Sequence, residues 1–131
     1  TVNLASRLES LNKFYGTDIL LAASTRQAAG EAFPCREVDA VRVKGRAGAA
    51  AVHEPLGPAG SGLPVFAERY AEALGRYRAR DFAAALAGFE AAQAAREGHD
   101  PPSRVMAGRC RKFLDAPPPE GWDGVFAPEG K

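Results

Sequence analysis

The chain changes character at residues 57–64, GPAGSGLP, where glycine, proline and serine replace the patterned sequence on either side. Glycine and proline interrupt both helices and strands, so no regular element is expected to run through this stretch. The sequence is thereby divided into a first segment, residues 1–56, and a second segment, residues 65–115. The length suits one modest domain or two small ones, and the composition predicts two segments joined by a linker at 57–64.

The charge balance excludes several classes of partner. The chain carries 17 basic and 16 acidic residues, a net charge of +1, so nothing favours a nucleic acid or an anionic membrane surface. No apolar run approaches the roughly 20 residues of a membrane helix, and no signal peptide is evident. We therefore expect no nucleic-acid partner, no membrane contact by this segment, and a cytoplasmic location, either free or as the cytoplasmic part of a membrane-anchored parent.

Cysteine and histidine usage does not indicate a metal centre. Cys35 and Cys110 are far apart and belong to no CxxC pair, and His53 and His99 have no further ligand at metal-binding spacing. In a cytosolic protein such cysteines are reduced. We expect two free, partly buried thiols and no metal bound by these residues.

The first segment begins with an amphipathic helix. Leu4, Leu8 and Leu11 recur at helical spacing within residues 2–15, and Gly16 follows where the left-handed C′ residue of a helix belongs. The pattern predicts a helix over 2–15 that packs through its leucine stripe.

Strand patterns follow this helix. DILLAAS, residues 18–24, has the length of a strand buried on both faces, and Thr25 is predicted to cap a short helix that ends near Ala32. Residues 36–56 are predicted to form two antiparallel strands joined by a basic hairpin turn around Gly45–Gly48. In the first of these strands valines alternate with charged residues: Val38, Val41 and Val43. The order helix, strand, helix, strand, strand provides too few strands for a self-sufficient sheet, so partner strands are expected upstream of Thr1.

The second segment is helical in pattern. Helices are predicted over 65–78 and 82–96, joined by a tight turn at RARD in which Asp81 is the N-cap. A third helix is predicted from about Ser103 to Leu114. The remaining residues, 116–131, form a proline-rich tail without regular structure, and its aromatic residues Trp122 and Phe126 are predicted to anchor it to a folded surface.

The opening stretch VNLASRLE, residues 2–9, resembles the VNxASRLE signature of the class III nucleotidyl cyclase catalytic domain, the domain of adenylate and guanylate cyclases. YGTDILL and REVDAVRVKGR follow in the order and spacing of two further stretches of that domain. The resemblance covers about residues 1–56 and implies an α+β fold, the C-terminal part of a ferredoxin-like cyclase domain. Because three motifs occur in succession, the resemblance is more specific than any one of them.

The resemblance implies roles for four residues. Asn3 and Arg7 are four apart, so on a helix they share a face. In the family the matching asparagine orients the ribose, and the matching arginine stabilises the transition state. Lys44 matches a lysine that reaches the β- and γ-phosphates, and Arg46 stands where a second lysine is common, as a weaker phosphate contact. Spacing alone also fits a solvated polar pair at 3 and 7 and a solvated basic turn at 44–46.

The same resemblance implies that a parent protein performs the reaction. Its family converts ATP or GTP to a cyclic nucleotide and pyrophosphate with Mg or Mn, and its active site lies between the two chains of a homodimer. The family's metal-binding aspartates and base-selecting residues precede the VN motif, and Asp18, Asp39 and Asp81 do not match them. We expect this chain to be a C-terminal fragment of such an enzyme, with ATP the favoured substrate, and to be inactive alone. The alternative is a non-catalytic interaction module, either a degenerate cyclase-like domain or a helical-repeat adaptor.

Residues 66–99 fit one tetratricopeptide-type unit, which implies an all-α helical-hairpin extension over 65–115. Its large and small positions are occupied by Tyr70, Ala73, Tyr77, Ala85, Phe89 and Ala92. One such unit cannot bury its own face, so the 103–114 helix is expected to cover it. The extension is expected either to pack against the catalytic domain or to offer a groove to a protein partner.

Overall fold

A computed structural model describes the chain except for residues 1, 30–33, 43–48, 59, 61 and 127–131, and the side chains of residues 2–7 and 29 also lie outside the described part. The described residues form a mixed α+β fold with five helices and one three-stranded antiparallel sheet. In chain order the elements are α1 (Val2–Tyr15), β1 (Leu21–Ala22), α2 (Ala23–Ala29), β2 (Cys35–Arg42), β3 (Ala49–Pro55), α3 (Val65–Arg78), α4 (Phe82–Ala95) and α5 (Pro101–Asp115).

The chain divides into two compact units. Unit 1 consists of Thr1–Leu63 with Val125–Lys131, and unit 2 consists of Pro64–Gly124. The proline-rich tail is therefore shared, since its first part belongs to the helical unit and its last part to the sheet-containing unit. None of the described helices is long and apolar enough to cross a membrane.

The sheet of unit 1 has the strand order β1-β3-β2, with both pairings antiparallel. The predicted order of helix, strand, helix, strand, strand is confirmed, and so is the antiparallel pairing of the last two strands. Helix α1 ends as predicted, because Gly16 adopts a φ of 74° and its N–H donates to the Asn12 carbonyl at 2.8 Å.

The prediction for DILLAAS was wrong in two respects. Only Leu21 and Ala22 form a strand, paired with His53 and Val52 of β3, and helix α2 begins directly after them. Ile19 is 54% exposed while Leu20 and Ala22 are buried, so the stretch buries one face and not two. Helix α2 already begins at Ala23, so Thr25 lies inside the helix and is not its N-cap.

A β-bulge in β2 determines which of its side chains are buried. Glu37 pairs with His53 and Asp39 pairs with Val52, so Val38 is an extra residue in the strand. Strict alternation would send Val38 and Val41 to opposite faces of the sheet, because they are an odd number of residues apart. The extra residue brings both valines into the core, where each has no exposed surface.

In unit 2, α3 and α4 form a closely packed antiparallel helical hairpin. The six residues predicted at its large and small positions are all buried. Asp81 caps α4 as predicted, because its carboxylate accepts a hydrogen bond from the Ala84 N–H at 3.3 Å. Helix α5 packs on α4 and buries Met106, Ala107 and Cys110.

Helix α5 begins two residues earlier than predicted, with Pro101 and Pro102 in its first turn. The buried Asp100 precedes it and accepts hydrogen bonds from the Ser103 hydroxyl and, at 2.8 Å, from Arg96 Nη1. Both cysteines are free thiols, and burial raises the pKa of the Cys110 thiol to about 11.

Two glycine substitutions measure how closely α3 and α4 approach. A Cβ on Gly88 of α4 would lie 2.7 Å from Ala73 Cβ and 3.2 Å from Ala73 Cα, whereas a Cβ on Gly75 of α3 would meet nothing within 4 Å. We expect Gly88→Ala to lower the free energy of unfolding by about 1–3 kcal/mol through overpacking. Gly75→Ala is the matched control and should raise it by about 0.5–1 kcal/mol through helix propensity. Urea denaturation followed by circular dichroism measures both, and a stabilising Gly88→Ala would contradict the close approach.

Candidate functional site

The four residues assigned by the cyclase resemblance lie in two stretches of the sequence of unit 1. Positions 3 and 7 belong to the first two turns of α1, four residues apart on a continuous helix, but the side chains of Asn3 and Arg7 lie outside the described part of the structure. Lys44 and Arg46 lie in 43–48, outside the described residues altogether. Their predicted roles therefore stay predictions, and the described structure concerns the framework that carries them.

Helix α1 is fixed to the sheet near its C-terminal end by a buried hydrogen bond. The Tyr15 hydroxyl donates to Asp39 Oδ2 at 2.6 Å, and neither side chain is exposed. The other carboxylate oxygen, Oδ1, accepts from the Ala40 N–H at 2.8 Å. A buried carboxylate requires such donors, because an unsatisfied one would carry the full cost of its lost hydration. Position 7 is two helical turns before Tyr15, about 12 Å along the axis.

Asp39 lies on the buried face of the sheet. That face also carries Val41 of β2 and Val52 of β3, and the bulge adds Val38 to the core. Leu11, one turn before Tyr15, is also buried. The last turns of α1 thus combine apolar contact with one directional bond, which specifies both the position and the rotation of the helix.

A buried ion pair holds together the ends of β2 and β3 that lie away from residues 43–48. Arg36 donates from Nε to Glu54 Oε1 at 2.9 Å, and its Nη2 lies 2.7 Å from the same oxygen. The two residues are directly opposite in the antiparallel register. At the other end, Arg42 pairs with Ala49, so the strands bracket the segment that contains Lys44 and Arg46.

The outer edge of β2 is extended by a residue of the tail. The Arg42 N–H donates to the Phe126 carbonyl at 2.7 Å, and the Phe126 N–H donates to the Ala40 carbonyl at 2.9 Å. The Phe126 ring stacks on Phe14 of α1 with a centroid distance of 5.1 Å. The predicted anchoring role of Phe126 is confirmed, and its contacts are with α1 and β2, the elements nearest the predicted site.

The opposite face of the sheet carries a titratable pair. His53 of β3 and Glu37 of β2 are register partners. Burial lowers the pKa of His53 below its ordinary value of 6.5, the Glu37 carboxylate acts in the opposite direction, and the Arg26 guanidinium adds to the lowering. His53 is thus held neutral to lower pH in the folded chain than in the unfolded one.

Some of these residues were missed by sequence reasoning. Asp39 has no predicted role, because a charged residue among the valines of a strand is usually exposed. Tyr15 is predicted only as the last residue of its helix. A tyrosine at the last position of an amphipathic helix, in register with its leucine stripe, was the signal that could have indicated a buried hydroxyl needing a partner.

Comparison with known proteins identifies no relative. No protein-family model, no curated protein and no solved structure matches the chain. Across the described residues, no three His, Cys, Asp or Glu side chains come together in a way that would hold a metal ion.

Removal of the Tyr15 hydroxyl tests how firmly α1 is held. We expect Tyr15→Phe to lower the free energy of unfolding by about 1–3 kcal/mol, because Asp39 then loses a donor in a buried position. Asp39→Asn and the double variant complete a thermodynamic cycle measured by urea denaturation. A coupling energy near zero would show that the bond does not fix the helix.

The His53 environment predicts a pH dependence of stability. Because the folded-state pKa is lowered, the unfolded chain takes up this proton first as pH falls below 6.5, and the free energy of unfolding decreases from there toward the folded-state pKa. His53→Gln should lose less stability than the wild type over that window. The chain's other histidine, His99, is exposed, and His99→Gln is the control that should keep the wild-type slope. Equal slopes for all three proteins would contradict the assignment.

Proposed function

We propose that residues 1–56 form the C-terminal part of a class III nucleotidyl cyclase catalytic domain, with ATP the favoured substrate, and that residues 65–115 are a tetratricopeptide-like extension of it. The observation that carries the proposal is the VNLASRLE motif, followed in order by YGTDILL and REVDAVRVKGR. The described backbone is compatible with it, because positions 3 and 7 lie one turn apart on α1 and residues 43–48 connect two paired strands.

The reaction joins the ribose 3′-oxygen to the α-phosphorus and breaks the bond from that phosphorus to the pyrophosphate oxygen, while the 3′-hydroxyl loses its proton. Negative charge grows on the phosphoryl oxygens, so placed donors accelerate it. In the proposal Asn3 orients the ribose and Arg7 donates to the α-phosphoryl oxygens in the transition state. Lys44, with Arg46 as a weaker contact, binds the β- and γ-phosphates and so stabilises the leaving group.

The metal belongs to the parent enzyme in this proposal. Mg or Mn would neutralise phosphate charge when bound, and the family holds it with aspartates ahead of the VN motif, for which the 131 residues contain no match. Since the family's site lies between two chains, Asn3, Arg7 and Lys44 would face the nucleotide held by a partner copy. The 131 residues alone would then lack turnover, and the parent would act as a homodimer.

The Tyr15–Asp39 hydrogen bond gives this proposal a physical basis within the described residues. A side chain that stabilises a transition state must be held within a fraction of an ångström of its working position. The end of α1 is held by one buried directional bond and by the buried Leu11. An intact helix transmits that restraint to the two turns that carry positions 3 and 7.

The test is Arg7→Ala in the full-length protein that also contains the metal-binding aspartates. We expect kcat for ATP cyclisation to fall by about 100-fold or more with little change in KM, since the arginine acts mainly in the transition state. Lys44→Ala should instead raise KM. The matched control is Lys13→Ala, because Lys13 is an exposed cation on the same helix and outside the motif. Normal turnover by Arg7→Ala would refute the role, and absence of cyclase activity in the full-length wild type would favour a non-catalytic, degenerate domain.

A further inference from the structure

The first part of the tail docks on unit 2 through an aromatic cluster, defined here as Tyr77, Phe82 and Phe113, one ring from each of α3, α4 and α5. The Trp122 ring centroid lies 5.3 Å from Tyr77, 5.6 Å from Phe82 and 5.5 Å from Phe113. All three contacts are edge-on, the geometry that aromatic pairs prefer. The predicted anchoring role of Trp122 is therefore confirmed, and the cluster surrounds it with aromatic surface from every helix of the unit.

Arg80 binds the backbone of the same segment. Its Nη2 donates to the Pro118 carbonyl at 2.9 Å and its Nη1 donates to the Pro119 carbonyl at 3.0 Å. The guanidinium carbon also lies 5.6 Å from the centroid of the Trp122 ring. A prolyl carbonyl oxygen has two lone pairs and can accept a hydrogen bond from an outside donor. One side chain thus contacts both the proline pair and the tryptophan.

The backbone of Arg80 is unusual for an arginine. It lies in the α3–α4 turn with a φ of 67°, a left-handed conformation that costs a residue with a Cβ about 1–2 kcal/mol and that glycine adopts freely. A strained residue at such a position often marks a functional requirement. Here the arginine side chain explains why the position is not glycine. A glycine would relieve the backbone strain but would lose both carbonyl contacts and the contact with the indole.

The bound segment has a defined shape. The Trp122 N–H donates to the Pro119 carbonyl at 3.0 Å, which closes a turn between the prolines and the tryptophan. Pro118 is buried, and Gly124 is buried with a φ of 80°. This turn therefore sets the distance between the prolyl carbonyls, which Arg80 contacts, and the Trp122 ring, which packs in the aromatic cluster.

We propose that the aromatic cluster together with Arg80 is a recognition site for an extended proline segment followed, three residues after its last proline, by tryptophan. Its occupant is such a segment, supplied in cis by residues 116–124, APPPEGWDG. The site combines the two elements of proline-segment recognition, an aromatic surface and a donor directed at prolyl carbonyls. It is independent of the cyclase proposal, because all its residues belong to unit 2.

The competing explanation is that residues 116–124 are only a covalent part of the helical core. The two explanations differ in one respect: a recognition site keeps its affinity when the ligand is a separate molecule. The covalent segment competes at an effective concentration in the millimolar range, so the site must first be vacated before a free peptide can be measured.

The Trp122→Ala variant of the 131-residue chain vacates the site, and a synthetic APPPEGWDG peptide is the probe. Trp122 is the chain's single tryptophan, so in this mixture the peptide carries the only indole and its fluorescence reports burial directly. We expect saturable quenching or a blue shift of its emission, and a rise in the melting temperature of the variant as peptide is added. A labelled peptide followed by anisotropy should bind the variant roughly tenfold or more tighter than the wild type, whose own tail competes.

Three controls locate the binding. A peptide with alanine in place of tryptophan should fail to bind, and Arg80→Ala in the Trp122→Ala background should weaken the peptide about tenfold or more. Arg76→Ala in the same background is the matched control, since Arg76 is an exposed arginine of α3 that makes no contact in the proposal. If a variant is partly unfolded, the melting temperature still reports binding, because a bound peptide stabilises the folded state. No change in emission or melting temperature up to about 1 mM peptide, equal affinity for variant and wild type, or equal effects of the two arginine substitutions would each overturn the proposal.

Discussion

The buried hydrogen bond between Tyr15 and Asp39 is the constraint on which the arrangement of unit 1 depends. A carboxylate with no exposed surface must receive donors, and here they come from the end of α1 and from the backbone of β2 itself. An apolar contact alone would let the helix slide or rotate by a residue at small cost. The directional bond excludes those alternatives, because any other register leaves Asp39 without the tyrosine hydroxyl.

The β-bulge at Val38 brings a further residue of β2 into the core. Asp39 and Val41 share a face by alternation, and the extra residue places Val38 in the core with them. The bulge keeps Arg36 opposite Glu54 while Asp39 stands opposite Val52. One inserted position therefore accommodates a buried ion pair, a buried carboxylate and two core valines on a short hairpin.

In unit 2 the packing of α3 on α4 depends on the sizes of the side chains between them and not on a single polar contact. Ala73 and Gly88 let α3 and α4 approach, while Tyr70 and Phe89 fill the remaining space with ring centroids 5.1 Å apart. Where the hairpin ends, Tyr77 and Phe82 flank the turn that carries Arg80. Arg80 thus connects the turn between α3 and α4 with the docked tail. Because Tyr77 and Phe82 flank this turn, the packing of the two helices also sets the position of Arg80 relative to residues 116–124.

Sequence patterns predicted most elements closely because their signals are local. Gly16 ended α1, Asp81 began α4, and the six large and small positions of the helical hairpin followed from the resemblance of residues 66–99 to a tetratricopeptide-type unit. The prediction for DILLAAS was wrong because a short apolar run has no period of its own, so its pattern does not show where β1 ends and α2 begins. Of the candidate site, the sequence supplied the identities of Asn3, Arg7, Lys44 and Arg46, while Tyr15 and Asp39 were found only from the structure.

The sequence by itself determined the two-unit division in outline, the types and order of the elements, and the motifs on which the cyclase proposal rests, since periodicity, caps and motif spacing are properties of neighbouring residues. Only the tertiary structure decided that the buried Asp39 accepts a hydrogen bond from Tyr15 and that Val38 is the extra residue of a bulge. It also decided that Arg80 donates hydrogen bonds to the Pro118 and Pro119 carbonyls. Each of these joins residues that are 24 to 39 positions apart in the sequence or depends on strand register. Such pairings are set by packing and hydrogen-bond satisfaction across the fold.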